Sequence, residues 1–300
     1  MELEIHADIL ENEIFHIYRE TSVPEDRWDI RWSTDVAKLW LVFNSQQTVH
    51  VRQGWKLHIA AHPSSAIAVL RRVLTLLLKA TSTFKVIASL QALNALNQGQ
   101  YGWSQIGKFI TIYPSSEQEA VKLARLLDEH TRSFPAPHIP SDRSLHPGSL
   151  VHYRYGSFNG GLWIQERDGL ISPAICTPTN ELIPERRQNH YEIPEWCVDP
   201  FVDAGIAGEL PRMQRLLDKR YLLAGIITAS PAHTLYLAGD LQEARSCVIK
   251  GPGIAWKQGT TDESINQSLL HEASILKRLA TVEQVPELYV CFEQDTSVFL

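Results

Sequence analysis

Over the first 135 residues, β-branched and aromatic runs alternate with stretches whose apolar residues recur every three or four positions. The runs "KLWLVFN" and "TVHVRQGWKLHIAA" predict a pair of strands. In "HPSSAIAVLRRVLTLLLKATS", Ser64 or Ser65 supplies an N-cap and Ile67, Leu70, Leu74 and Leu77 or Leu78 share one face, which predicts a helix. "FKVIAS" then predicts a short strand and "LQALNALNQG" a short helix ended by Gly99. "GKFITIYP" predicts a strand stopped at Pro114, and "SSEQEAVKLARLLDEHTRSF" another helix.

The pattern then loosens. "PAPHIPSDRSLHPGSLVHYRYGSFNGG" is rich in Pro and Gly and holds one expected strand, Leu150 to Tyr155. Residues 160–212 read as mostly irregular, with prolines at 173, 178, 184, 194, 200 and 211. From Tyr221 the pattern changes to strand, strand, helix, so a second domain is expected from about residue 213. The expectation is an α+β fold in two domains, 1–212 and 213–300. A chain of 300 residues is long enough for both to bury cores.

Composition narrows the class. A hydrophobic fraction of 44% with eight Trp is that of a folded globular protein, not a disordered one. The net charge of −6 supplies no basic field, so nucleic acid is not an expected partner. Cys176, Cys197, Cys247 and Cys291 lack paired spacing, which argues against zinc or a disulfide framework and suits a reducing cytoplasm. The acidic N-terminus has no signal-peptide pattern, and Arg71 and Arg72 interrupt "AIAVLRRVLTLLLKA", which is too short for a membrane span.

Candidate chemistry starts at "GWKLHIAA". In a strand, Lys56 and His58 point to the same face. An amine that loses its proton can act as a base, and an imidazolium can act as an acid. Together they suit an elimination, in which a proton leaves one carbon and an acid protonates the leaving group on the next. Phosphate as the leaving group needs cationic partners, and Lys85, Lys108, Arg143 and Arg154 lie in or beside apolar runs. The plain alternative is a solvated edge lysine and an ordinary satisfied histidine.

Taken in order, "GWKLHIAA", "FK", "GKFITIYP", "DR" and "HYRYGSF" resemble the N-terminal lyase domain of class III and class IV lanthipeptide synthetases. The resemblance spans residues 25–205. It implies a fold related to the phosphothreonine lyases of bacterial effectors. It also implies elimination of phosphate from phosphoserine or phosphothreonine of a precursor peptide, giving dehydroalanine or dehydrobutyrine. By the same resemblance Lys56 is the base and His58 the acid, while Lys85, Lys108, Arg143, Arg154 and Tyr155 are phosphate contacts. No cofactor is implied for the lyase.

In the second domain, "CVIKG" with Lys250 and "LLHEASIL" with Glu272 resemble the paired Lys and Glu of a protein-kinase N-lobe, which position ATP phosphates. The positions of a glycine-rich loop read Thr228, Ser230 and His233, and the chain stops at Leu300 before any catalytic loop. Kinase activity is therefore not expected of this chain alone. ATP or GTP with Mg would enter only if a complete kinase were supplied, for instance by a separate kinase or cyclase chain. The rival reading is a non-catalytic fragment of a split or degenerate synthetase that binds the precursor peptide.

Overall fold

The computed structural model describes residues 8–24, 26–34, 38–47, 51–135, 137, 139–158, 161–166, 169–185, 191–208, 216–230, 233–253 and 263–300. They belong to two compact units, 1–209 and 210–300, taken separately below. The boundary expected at 212/213 lies outside the described residues.

Unit 1 begins with α1 (Ile9–Glu20), β1 (Trp28–Trp32), β2 (Trp40–Ser45), β3 (Gln53–Ile59) and α2 (Ala66–Lys79). There follow β4 (Thr83–Ile87), α3 (Leu90–Asn97), β5 (Ile110–Tyr113), α4 (Glu117–Thr131), β6 (Arg143–Ser144) and β7 (Val151–Ser157). The seven strands form one antiparallel sheet in the order β1-β2-β4-β5-β3-β7-β6. The fold class is α+β, as expected.

Local chemistry explains the helix starts. The amide of Ala92 donates to Ser89 Oγ, and that of Glu119 to Ser116 Oγ, capping α3 and α4. Ser65 is the N-cap of α2 without a side-chain bond. The apolar stripe of α2 is buried at Val69, Leu70, Val73, Leu74, Leu77 and Leu78, and it packs against α1 and α4.

Alternation then divides the large sheet. Leu57, Phe43, Phe84, Ile110, Ile112 and Tyr153 belong to one apolar core, where Phe43 and Phe84 stack with centroids 4.5 Å apart. Residues one step away in each strand face the other side. That second face carries the polar residues.

The stretch expected to be irregular contains β8 (Leu162–Gln165), β9 (Ile171–Cys176) and β10 (Leu182–Pro184), an antiparallel sheet of three strands, followed by α5 (Pro200–Asp203). Prolines obscured it in the sequence. Pro173 and Pro184 lie inside strands of a small sheet with little ladder to lose.

Unit 2 consists of β11 (Leu216–Leu217), β12 (Tyr221–Ala229), β13 (His233–Asp240), β14 (Arg245–Pro252), α6 (Glu263–Arg278), β15 (Phe292–Gln294) and β16 (Ser297–Phe299). Strands β11 to β14 pair in sequence order, and β15 pairs with β16. Leu217, Tyr221, Ala238, Cys247, Ile249 and Phe299 form its core. No described helix of either unit is long and apolar enough to cross a membrane.

Candidate active site

The polar face of the large sheet is built by register. Lys56 on β3 lies opposite Arg154 on β7. His58 lies opposite Thr111 on β5, which in turn lies opposite Lys85 on β4. Three neighbouring strands and β7 therefore present two lysines, a histidine and an arginine to one side.

These side chains line a cavity of about 240 Å³ together with Ser104, Gln105, Lys108, Thr111, Tyr113, Ser157, Phe158, Gly161, Trp163 and Pro173. Lys56, His58, Lys108 and Arg154 are all buried, with 7%, 2%, 5% and 7% of their surface exposed. Burying that much positive charge demands compensation. Two carboxylates supply it.

Glu185, the residue after β10, accepts from Lys56 Nζ at 3.3 Å and Arg154 Nη2 at 3.4 Å through the same oxygen. Gly156 makes room for it. A Cβ at that position would sit 2.0 Å from Glu185 Oε1 and 3.1 Å from Lys56 Nζ. Asp142 is fully enclosed, with Oδ1 3.2 Å from Lys108 Nζ and Oδ2 against His58 Nδ1. Ser141 Oγ donates to the same Oδ1 at 2.7 Å.

The charges set protonation states. Burial pushes the His58 imidazole down to about 3, Lys108 and Lys56 add to the effect, and Asp142 opposes it. At Asp142 burial works upward, yet Lys108, His58 and Arg154 outweigh it and hold the carboxyl well below the usual carboxylate range. A neutral imidazole facing a carboxylate through Nδ1 carries its proton there, which leaves Nε2 as the nitrogen for the cavity. With His58 neutral, the paired cations Lys56, Lys108 and Arg154 face two carboxylates, and one positive charge is left over. Three converging cations with a net positive charge suit the oxygens of a phosphomonoester.

Residues 20–209 match the family model described as RamC, N-terminal domain. The chain belongs to that family. A relative, the probable SapB synthase of Streptomyces coelicolor (strain ATCC BAA-471 / A3(2) / M145), is 30% identical over 224 residues, 73% of this chain. The chain spans only 23% of that relative's length. Among solved structures, the VirA (SpvC) phosphothreonine lyase effector of Chromobacterium violaceum overlaps with TM-score 0.34 and 13% identity, over 51% of this chain and 91% of that one. The type III effector/phosphothreonine lyase OspF of Shigella flexneri gives TM-score 0.35 and 15% identity, over 51% and 77%. Overlaps this limited leave the chemistry to be argued from the residues themselves.

Within this RamC N-terminal domain, five of the seven expected residues of unit 1 converge: Lys56, His58, Lys85, Lys108 and Arg154 line the cavity. Lys108 does so from the turn before β5 and not from the strand, its amide donating to Gln105 O at 3.1 Å. Two expected residues are elsewhere. Arg143 pairs with Tyr153 in register, on the apolar face, where Nη1 meets Asp199 Oδ2 at 3.0 Å and the guanidinium lies over Tyr153 and Tyr191. Tyr155 pairs with Trp55 on that face, and Gln53 Nε2 donates to its hydroxyl at 3.1 Å. Strand parity excludes both from the cavity.

The RamC N-terminal domain also contains site residues that the sequence reading missed. Asp142 is the neighbour of Arg143 in "SDRS", and it is this member of the motif that meets His58 and Lys108. Tyr113, on the parity of Thr111, brings the phenol that Tyr155 was expected to bring. Glu185 follows a stretch read as irregular, and no pattern singled it out.

In unit 2 the expected pair is formed: Lys250 Nζ lies 2.8 and 2.5 Å from the two carboxylate oxygens of Glu272. At the end of β12 the Ser230 amide donates to His233 O at 2.8 Å. Thr228, the remaining loop position, is exposed at the end of β12. Among the described residues, no group of three or more His, Cys, Asp or Glu is placed to hold a metal ion.

Proposed function

We propose that unit 1 is a phosphoserine/phosphothreonine lyase acting on a phosphorylated precursor peptide in lanthipeptide biosynthesis. The observation that carries the reading is a buried cavity in which three cations, one in excess of their carboxylate partners, surround an imidazole. Membership of the RamC family and the likeness to a synthase support a biosynthetic role.

Phosphate is held by Lys56, Lys108 and Arg154, whose carboxylate partners keep them as cations. A lysine in an ion pair is an ammonium, suited to binding an anion rather than accepting a proton. The base is placed at Lys85, which lies across Thr111 from His58 with its Nζ 4.1 Å from the centre of the Trp40 ring. Lys85 as a neutral amine takes the α-proton, the electron pair becomes the Cα=Cβ bond, and the Cβ–O bond breaks. His58 Nε2 protonates the departing bridging oxygen.

His58 is neutral in the empty site. The arriving dianion offsets Lys56 and Lys108 and so restores the imidazole's hold on a proton, arming the acid only when substrate is bound. Reaction with a phosphoserine peptide and no nucleotide, followed by mass spectrometry, tests the reading. Dehydroalanine is expected. Demonstrable peptide binding without loss of phosphoric acid would overturn it in favour of the non-catalytic binding module.

The Lys250 and Glu272 pair supports a kinase-like N-lobe for unit 2. ATP or GTP with Mg would be its ligand once a complete kinase is present. Lyase chemistry of the kind proposed for unit 1 calls on none of these.

A further inference from the structure

The small sheet of unit 1 ends in an open strand edge beside the cavity. β8 is an outer strand, paired among the described residues with β9 alone. The phase of that ladder follows from its turn, where the Glu166 amide donates to Leu170 O at 2.7 Å. Hydrogen-bonded pairs alternate in antiparallel strands, so Ile164 with Ser172 and Leu162 with Ala174 are bonded pairs, while Trp163 with Pro173 and Gln165 with Ile171 are not. The Pro173 carbonyl agrees with this phase, since it turns toward β10 and accepts from the Glu185 amide at 2.7 Å. Trp163 and Gln165 therefore aim N–H and C=O away from β9, at the open edge.

The side chains on this edge are unusual for solvent. By alternation Trp163, Gln165, Ile171 and Pro173 share a face, and Trp163 and Ile171 are 60% and 70% exposed. Trp163 and Pro173 also wall the catalytic cavity. The strand, "LWIQ", has neither the lysine nor the proline that normally blunts a free edge.

Resting on the lyase reading, we infer that β8 docks the backbone flanking the phosphorylated residue. An extended segment of the substrate peptide adds as a further strand through Trp163 and Gln165, and one of its apolar side chains lies on Trp163 and Ile171. Continuity of the edge with the cavity wall fixes the occupant: a chain whose phosphate is in the cavity has its neighbouring residues at β8. Alternating backbone donors and acceptors recognise another extended backbone irrespective of its sequence, and the apolar platform adds selectivity.

The test uses the full chain with two ligands, a phosphoserine decapeptide with flanking leucines and the minimal N-acetylphosphoserine methylamide. Binding is measured by calorimetry and elimination by phosphorus NMR. Gln165→Pro deletes an outward N–H while sparing the bonds to β9, and Trp163→Ala removes the platform. Each is expected to weaken decapeptide binding about tenfold more than binding of the minimal ligand. Equal losses with both ligands, or none, would overturn the inference. So would a wild-type dimer, seen by sedimentation, that Gln165→Pro dissolves without changing decapeptide affinity. If wild type binds both ligands and eliminates phosphate from neither, the lyase reading fails, and the binding comparison still decides the edge.

Discussion

Lys56 and Arg154 stand directly opposite each other on β3 and β7 and share a single oxygen of Glu185. Two like charges in adjacent strands repel unless something intervenes, and here the intervening group comes from a different sheet.

Removing that group has a predictable cost. Glu185→Gln leaves both cations buried with a neutral amide, and a loss of about 3 kcal/mol is expected from uncompensated buried charge. Inorganic phosphate should restore more of the thermal midpoint in the variant than in wild type. Equal shifts in both proteins would contradict the placement of phosphate between Lys56 and Arg154.

Lys56 and Lys85 can be separated kinetically. Lys85→Ala is expected to slow elimination by about 100-fold or more while phosphopeptide affinity changes little, as for loss of a general base. Lys56→Ala should instead weaken affinity. The reverse outcome returns the base to Lys56.

His58 makes stability depend on pH with a definite sign. Its folded-state value of about 3 lies below the ordinary 6.5, so the unfolded chain binds the proton more readily. Stability is full above about 6.5 and falls as pH drops toward 3. Asp142, also lowered, acts in the same direction at more acid pH. Denaturant titrations at stepped pH should show a shallower fall for His58→Gln between about 6 and 4.

Arg143 and Asp142 are expected to part company. Asp142→Asn should cut turnover by removing the partner of His58 Nδ1, and rescue by Asp142→Glu would be incomplete because the enclosed site has no room for a longer arm. Arg143→Ala should lower the melting temperature through loss of the Asp199 pair and the Tyr153 and Tyr191 contacts. Its turnover, measured below the melting transition, is expected within a few-fold of wild type.

Much of the fold was legible because its strands and helices have their own periods. The α2 stripe and the β3, β4 and β5 runs were recognisable from apolar spacing alone. The small sheet was not, since prolines at 173 and 184 read as breakers when nothing in the sequence showed how short the ladder is. Lys56 and His58 were legible as neighbours because strand parity is local. Parity across strands is not: whether Arg143 joins them depends on pairing with Tyr153, ten residues on, and that register is a tertiary property. Glu185 was invisible for the same reason, since its meaning comes from Gly156 and Lys56 at a distance.

The missing side chain at Gly156 makes Glu185 a latch. It reaches across from the end of β10 and closes on the large sheet, so lifting β10 would expose two cations to each other. The small sheet is thereby fastened at β10 through this carboxylate, and at β9 through the bonds between Gln53 and Cys176. The charge that shapes the phosphate pocket is thus also the bolt that holds one wall of it in place.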